Sequence, residues 1–471
     1  MFLKAHAGSL RLLLCLTGLL LLNSLGALQA SAHPGDERAA AAELERVVNA
    51  ELKETNTPGA AVTVIRGGRV IFAKGFGVSN IETGAPVSTD MLFRLGSTTK
   101  MFTGAAMVTL AEQGKIKLDA PIGNYAKGLA PKLSRLTPHQ LISNNAGVAD
   151  FSPPFVSNDD SALSTMVQGW KDDALFGEPG RIYSYASPGF WLAGYVIEEV
   201  GGKPYADMMD DLLFKPLGMT RTTFRPLLAM TYPLALGHSA DAQGKPAIIR
   251  PAFNNVAMWP AGSIFSSVDE LSRFVIALMS EGKLDGHQVI SPNLFAKLSG
   301  KHVLLPGERD AYYGYGLLNF EYRGVRLIMH GGFSRGYGSM IQMVPEQGFA
   351  VIVLTNKSGM TLSKTTTRAK ELYLSLKPAP KEEPKKALAL TTTDLNSFAG
   401  KYTNGPQVWE ILVKEGKLYL KDSDSEYALS KTGEARLSFG DSLENDVVLV
   451  PGADGRIEYI FTGLYSARRV Q

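Results

Sequence analysis

The chain has 471 residues, 45% of them hydrophobic and 20% charged, with a formal net charge of +3 and a single cysteine. That is an ordinary globular composition, long enough for two or three domains, and it excludes disorder, a collagen-like repeat and a coiled coil. A charge so close to neutral gives no electrostatic case for nucleic acid or a membrane surface as partner.

Lys4 and Arg11 precede an apolar run from Leu12 to Leu22, interrupted only by Thr17 and Gly18, and Ala30-Ser31-Ala32 supplies small residues where a signal peptidase cuts. The pattern predicts a signal peptide over residues 1–32 and a periplasmic or secreted protein. The run is shorter than the roughly 20 residues of a spanning helix, so no stable membrane span is expected after its removal. Cys15 lies in this run as hydrophobic filler, because Leu14 is too large for a lipoprotein cleavage site. The mature chain then lacks cysteine, which excludes disulfides, zinc-thiolate sites and a cysteine nucleophile. No histidines stand at metal-ligand spacing, and no cofactor is expected.

Glu37 to Thr55 has apolar residues at Leu44, Val47, Val48 and Leu52, the spacing of an amphipathic helix. Ala61 to Ile65 and Val70 to Ala73 flank Arg66-Gly67-Gly68-Arg69 and read as a hairpin. Helical patterns follow between Leu95 and about Leu298, including Met101 to Gln113 and Ser267 to Glu281. Gly338 to Val344 and Phe349 to Leu354 flank Pro345-Glu346-Gln347-Gly348 as a second hairpin. Residues 378–392 carry a proline-rich, charged run that reads as a linker. Short β-type runs at Val408 to Val413, Lys417 to Leu420, Val447 to Val450 and Ile457 to Phe461 make 393–471 a small barrel-like all-β domain. The main domain is then 33–377.

The chemistry concentrates at Gly96-Ser97-Thr98-Thr99-Lys100. A serine at a helix start with lysine three residues on brings the amine to the hydroxyl's face, where the helix N-terminus favours developing negative charge. This is a serine activated without histidine. A second match, Ser280-Glu281-Gly282-Lys283, falls at a helix C-terminus and turn.

Four blocks in order, Phe93 to Leu118, Pro179 to Phe190, Pro260 to Ser266 and His330-Gly331-Gly332-Phe333, closely resemble the serine β-lactamase-like hydrolases. That family includes class C β-lactamases, low-molecular-weight penicillin-binding proteins, D-aminopeptidases and family VIII esterases. The resemblance covers about residues 40 to 376. It implies an α+β fold: an antiparallel sheet flanked by helices, a helical subdomain from about 110 to 230, and a site in the cleft between them. It also implies a small-molecule or peptide substrate, with oligomeric state left open.

By the same resemblance Ser97 is the nucleophile, Lys100 its partner and Tyr185 the second-motif tyrosine, followed by Gly189, Gly194 and Glu198. His330, Gly331 and Gly332 stand at the third motif, and the amides of Ser97 and Phe333 form the oxyanion hole. Whether Lys100 or Tyr185 is the base stays open, and Tyr183 is the register alternative for Tyr185. Ser187 stands where the family has asparagine, and His330 where it often has lysine, so β-lactams and carboxylate-ended peptides lose ground to small esters and amides. The C-terminal domain resembles the lipocalin-like domains appended to this family, its role open between capping the cleft and stabilising the chain.

Three literal motif matches are set aside. Tyr402-Thr403-Asn404 and Lys431-Thr432-Gly433 lie beyond the linker and are expected to be β-turns of the C-terminal domain. Gly332-Phe333-Ser334-Arg335-Gly336 matches a nucleophile elbow, but a β-like run follows Ser334 instead of the required helix, and no histidine occurs after His330.

Overall fold

Gly67 and Gly68 both take left-handed φ values, +56° and +73°, conformations that a residue without Cβ enters freely. They close the predicted hairpin between β1 (Gly59–Arg66) and β2 (Arg69–Asn80). The computed structural model describes residues 34–380, 386–423, 425–439 and 445–470. The expected signal peptide, 1–32, and residues 381–385 of the expected linker lie outside the described residues. The first helix is α1 (Pro34–Glu54), and the described residues from Ala40 onward group into one compact unit.

Nine antiparallel strands among the described residues form the central sheet. After β1, β2 and β3 (Ala85–Pro86) come β4 (Val303–Leu304), β5 (Ala311–Tyr313), β6 (Leu318–Tyr322), β7 (Val325–Ser334), β8 (Tyr337–Val344) and β9 (Phe349–Thr355). The spatial order is β4-β5-β6-β7-β8-β9-β1-β2-β3, so the N-terminal hairpin docks on β9 with Val62 opposite Val353.

Side chains alternate across a strand, and here both faces are covered. Val62, Val64, Val351 and Val353 pack with Leu44, Val48 and Leu52 of α1 and with Ala369 and Tyr373; the latter two belong to the helix Ser363–Tyr373. Ala61, Ile65, Ile352 and Leu354 join the larger core on the other side. That core holds α2 (Thr99–Glu112), α3 (Ser187–Gly201) and α4 (Val268–Met279). Phe102 of α2 stacks on Phe274 of α4 at 4.1 Å between ring centroids. Ser267 caps α4, and Ser280 to Lys283 follow its end as expected. No helix among the described residues is long and apolar enough to cross a membrane.

Beyond the linker, eight strands close into a barrel: β10 (Gly400–Asn404), β11 (Gln407–Lys414), β12 (Lys417–Lys421), β13 (Glu426–Gly433), β14 (Arg436–Ser438), β15 (Asp446–Pro451), β16 (Ile457–Thr462) and β17 (Tyr465–Arg469). Closure comes from pairing of β10 with β17, Tyr402 opposite Arg469. The barrel has its own core around Tyr402, Leu418, Leu437 and Ile460. Val448 and Phe461, by contrast, belong to the large core, so the barrel is packed onto the main fold as well as tethered to it.

Both decoy motifs of this region are corrected from turns to strands. Tyr402-Thr403-Asn404 is the end of β10 and Lys431-Thr432-Gly433 the end of β13. Tyr402 is fully buried in the barrel core, which favours extended backbone, and the turn waits for Gly405, at φ +58°. The elbow-like Gly332 to Gly336 is the β7–β8 hairpin, with no helix after Ser334.

Candidate active site

A short strand, Phe93–Arg94, pairs with Phe265–Ser266 and runs into a 3-10 turn, Gly96–Thr98, that leads directly into α2. Ser97 sits in this turn. Two glycines let the turn press against β7. Gly96, at φ +57°, has no room for a side chain, since a Cβ there would lie 2.5 Å from the Phe333 carbonyl oxygen. A Cβ on Gly332 would lie 1.9 Å from the Leu95 carbonyl oxygen. Ser339 of β8 pins the turn further, its hydroxyl 2.7 Å from that of Thr98 and donating to the Leu95 carbonyl at 2.5 Å. Ser97 and the strand carrying the Phe333 amide are thus one packed unit.

Lys100, one helical turn after Ser97, is fully buried. Its Nζ lies 3.1 Å from Ser97 Oγ, 3.4 Å from Ser187 Oγ and 2.9 Å from the Ala261 carbonyl oxygen. The carbonyl arrives there because Gly194 of α3 admits Pro260, whose Cγ would be 2.1 Å from a Cβ at that position. Nζ also lies 4.6 Å from the centre of the Tyr185 ring. Burial removes water from the ammonium and lowers its pKa to about 7, with the Asp150 charge acting in the opposite direction.

Tyr185 lies in the extended segment before α3. Burial holds its hydroxyl protonated well above the ordinary tyrosine range, while a hydrogen bond with Ser97 works the other way. Tyr183, the register alternative, is fully buried between Tyr313 and Phe461, and its hydroxyl has no partner among the described residues. The geometry selects Tyr185 as the tyrosine beside Ser97 and Lys100.

His330 sits behind them, its ring 6.3 Å from that of Tyr185. Its Nδ1 lies 2.6 Å from the Gly331 carbonyl oxygen, which can only accept, so Nδ1 carries the proton and Nε2 accepts from the Tyr313 hydroxyl at 3.2 Å. Burial, helped by the Lys100 charge, lowers its pKa to about 3. His330 is a neutral ring with both nitrogens engaged inside the protein. Glu198, on α3, accepts from the Tyr205 amide at 2.8 Å, and burial raises its pKa to about 7; it braces the helix away from Ser97.

Motif reasoning missed several neighbours. Asp150 accepts from the Ser187 amide at 3.0 Å at the start of α3, and burial raises its pKa. The barrel supplies others. The Tyr185 amide donates to the Leu464 carbonyl oxygen at 2.9 Å, and Tyr465 meets the Tyr185 ring edge-on at 6.2 Å. The Asn404 carboxamide oxygen accepts from the Asp150 amide at 3.0 Å, and its nitrogen donates to Ser184 Oγ at 3.1 Å and to the Ser466 carbonyl at 2.7 Å. Asn404 was visible only as part of a decoy motif; the others carry no local signal.

A cavity of about 470 Å3 opens beside Ser97, lined by Ser187, Ser263 and Phe333 among others. Tyr185, His330 and the barrel do not line it.

The beta-lactamase family model matches residues 44–375. Protein flp of Staphylococcus aureus (strain MW2) is 24% identical over 323 residues, 67% of this chain and 62% of that protein's length. Penicillin-binding protein 4 of Amycolatopsis lactamdurans is 27% identical over 68% of this chain and 86% of its own. The crystal structure of SurE superposes with a TM-score of 0.73 at 21% identity, covering 93% of this chain and 99% of that one. That fold likeness extends over most of the chain, well past the end of the family match.

Proposed function

The chain belongs to the beta-lactamase family, and on that premise we propose that it is an exported serine hydrolase that cleaves an ester or amide through an acyl-enzyme on Ser97. One observation carries this reading. Lys100 Nζ stands 3.1 Å from Ser97 Oγ with its pKa near 7, so at neutral pH a large fraction of the amine is free to accept a proton. Tyr185, held protonated by burial, acts as proton donor and relay; Lys100 is the base.

In acylation, neutral Lys100 takes the Ser97 proton as Oγ bonds to the substrate carbonyl carbon and the carbonyl π pair moves onto oxygen. The amides of Ser97 and Phe333 receive that oxyanion. When the intermediate collapses, the bond to the leaving group breaks; Tyr185 protonates the departing oxygen or nitrogen and is reprotonated by the Lys100 ammonium. Water attacks the acyl-enzyme with the same groups working in reverse.

A small ester or D-amino-acid amide is the first substrate class and a β-lactam or D-Ala peptide the second, because His330 offers no positive charge to a substrate carboxylate. A second reading, a penicillin- or peptide-binding module with low turnover, is favoured by Ser187, whose hydroxyl reaches Lys100 only at 3.4 Å. Export rests on residues 1–32, and the lysine-bearing mature domain is expected in the periplasm or medium. A panel of p-nitrophenyl esters, D-alanyl amides and nitrocefin, read with the wild type and Ser97→Ala, tests all of this. Steady turnover that the variant loses supports the hydrolase; a stoichiometric burst without turnover favours the binding module; full activity in Ser97→Ala overturns both.

A further inference from the structure

Arg94 is 6% exposed and lines the cavity beside Ser97. Its hydrogen-bond partners are neutral: Nη1 donates to the Phe253 carbonyl and Nη2 to Ser263 Oγ at 3.1 Å, while Nε is buried with no partner. The guanidinium also lies 5.5 Å from the centre of the Phe265 ring. No carboxylate among the described residues forms an ion pair with it. A buried guanidinium without a counter-charge is costly, and the lack of solvent lowers even this strong base to about 10.

The cavity adds a second positive group and no negative one. Arg335, exposed on the β7–β8 hairpin, lines it too, and the described lining contains no aspartate or glutamate. Ser263, which also lines the cavity, accepts from Arg94 through its Oγ, and its hydroxyl carries a proton of its own to donate. Two guanidinium groups and a hydroxyl donor around one cavity match the bidentate and single hydrogen bonds that a carboxylate accepts.

Resting on the serine-hydrolase reading, we propose that this cavity is a carboxylate-binding subsite for the acyl portion of the substrate, built from Arg94, Ser263 and Arg335. The acyl assignment follows from position. Tyr185, the proton donor to the leaving group, is not among the residues that line the cavity. The preferred substrate is then an ester or amide whose acyl group carries a second, free carboxylate, which supplies the charge Arg94 lacks. This differs from recognition at the third motif, where His330 is neutral.

The test compares mono-4-nitrophenyl adipate with its neutral methyl ester, both corrected with Ser97→Ala. The wild type should favour the anionic ester in kcat/KM by about tenfold or more, the worth of a hydrogen bond to a charged group. That ratio should collapse toward one in Arg94→Gln and fall in Ser263→Ala and in Arg335→Glu, which keep the test open if Arg94→Gln does not fold. A ratio of one or below in a wild type that turns over the neutral ester overturns the subsite and leaves the hydrolase standing. If neither ester is turned over, the hydrolase reading fails for esters, and calorimetry of adipate with Ser97→Ala decides the subsite. Saturable binding weakened by Arg335→Glu supports it; no heat at millimolar adipate overturns it.

Discussion

Lys100 Nζ lies closer to the carbonyl oxygen of Ala261, at 2.9 Å, than to Ser97 Oγ, at 3.1 Å. A carbonyl can only accept, so it fixes one N–H of the amine and, in the neutral form, leaves the nitrogen lone pair to be aimed at the serine hydroxyl. The amine is oriented by main chain whether or not it is charged.

The pH profile should carry this. In the proposed mechanism neutral Lys100 takes the serine proton, so kcat/KM is expected to rise with pH along an acid limb centred near 7. The Asp150 charge favours the ammonium, so Asp150→Asn should move that limb to lower pH by about one unit. A limb that stays in place or moves upward in the variant contradicts the role given to Asp150.

The same burial destabilises the fold. Lys100 binds its proton up to about 7 when folded, against an ordinary lysine value of 10.5. Between those values the unfolded chain holds more protons, so stability rises with pH across that window. Lys100→Met removes the effect. Its gain in melting temperature over the wild type should be largest below pH 7 and shrink as the pH approaches 10.5; calorimetric scans from pH 6 to 10 measure it.

Ser97→Ala should lose turnover by at least about 10^3-fold and lose covalent labelling by a fluorophosphonate. Tyr185→Phe keeps the ring and removes the relay, with an expected loss of about 10^2 to 10^4 in kcat. Labelling of Ser334 in place of Ser97, seen by peptide mapping, would reverse the assignment.

Asn404 ties the barrel to both segments flanking the lysine. Asn404→Leu leaves the Asp150 amide unpaired and removes donors from Ser184 and Ser466, at a cost of about 1–3 kcal/mol for each buried group left unsatisfied. Tyr185 should lose its register as well, so kcat is expected to fall more than KM rises. Unchanged kinetics would show that the barrel does not govern the tyrosine.

Much of this site was legible because its chemistry is local in sequence. Ser97 and Lys100 share one helical turn, and Tyr185 precedes a helix that begins with Ser187-Pro188. The strand pairs around Gly67-Gly68 and Gly348 were legible for the same reason. Asp150 and Asn404 were not, because the hydrogen bond between them joins segments 254 residues apart. Thr403-Asn404-Gly405 has the composition of a turn, and strand pairing keeps its first two residues extended: both pair with β11, and Thr403 also pairs with Arg468 of β17. Arg94 could be read as a residue but not as a lone charge, since the absence of acids around it is a property of the folded cavity.

Because the Tyr185 amide is held by Leu464 in the last hairpin of the barrel, the order of synthesis matters. The ribosome makes Ser97 and Lys100 early, yet the tyrosine has its support only once the final two strands exist. A nascent or truncated chain would carry Ser97 and Lys100 without the contact that holds Tyr185. Loss of the last hairpin, by a premature stop or a protease, would therefore remove the support of Tyr185 from a distance, without touching Ser97, Lys100 or the tyrosine itself.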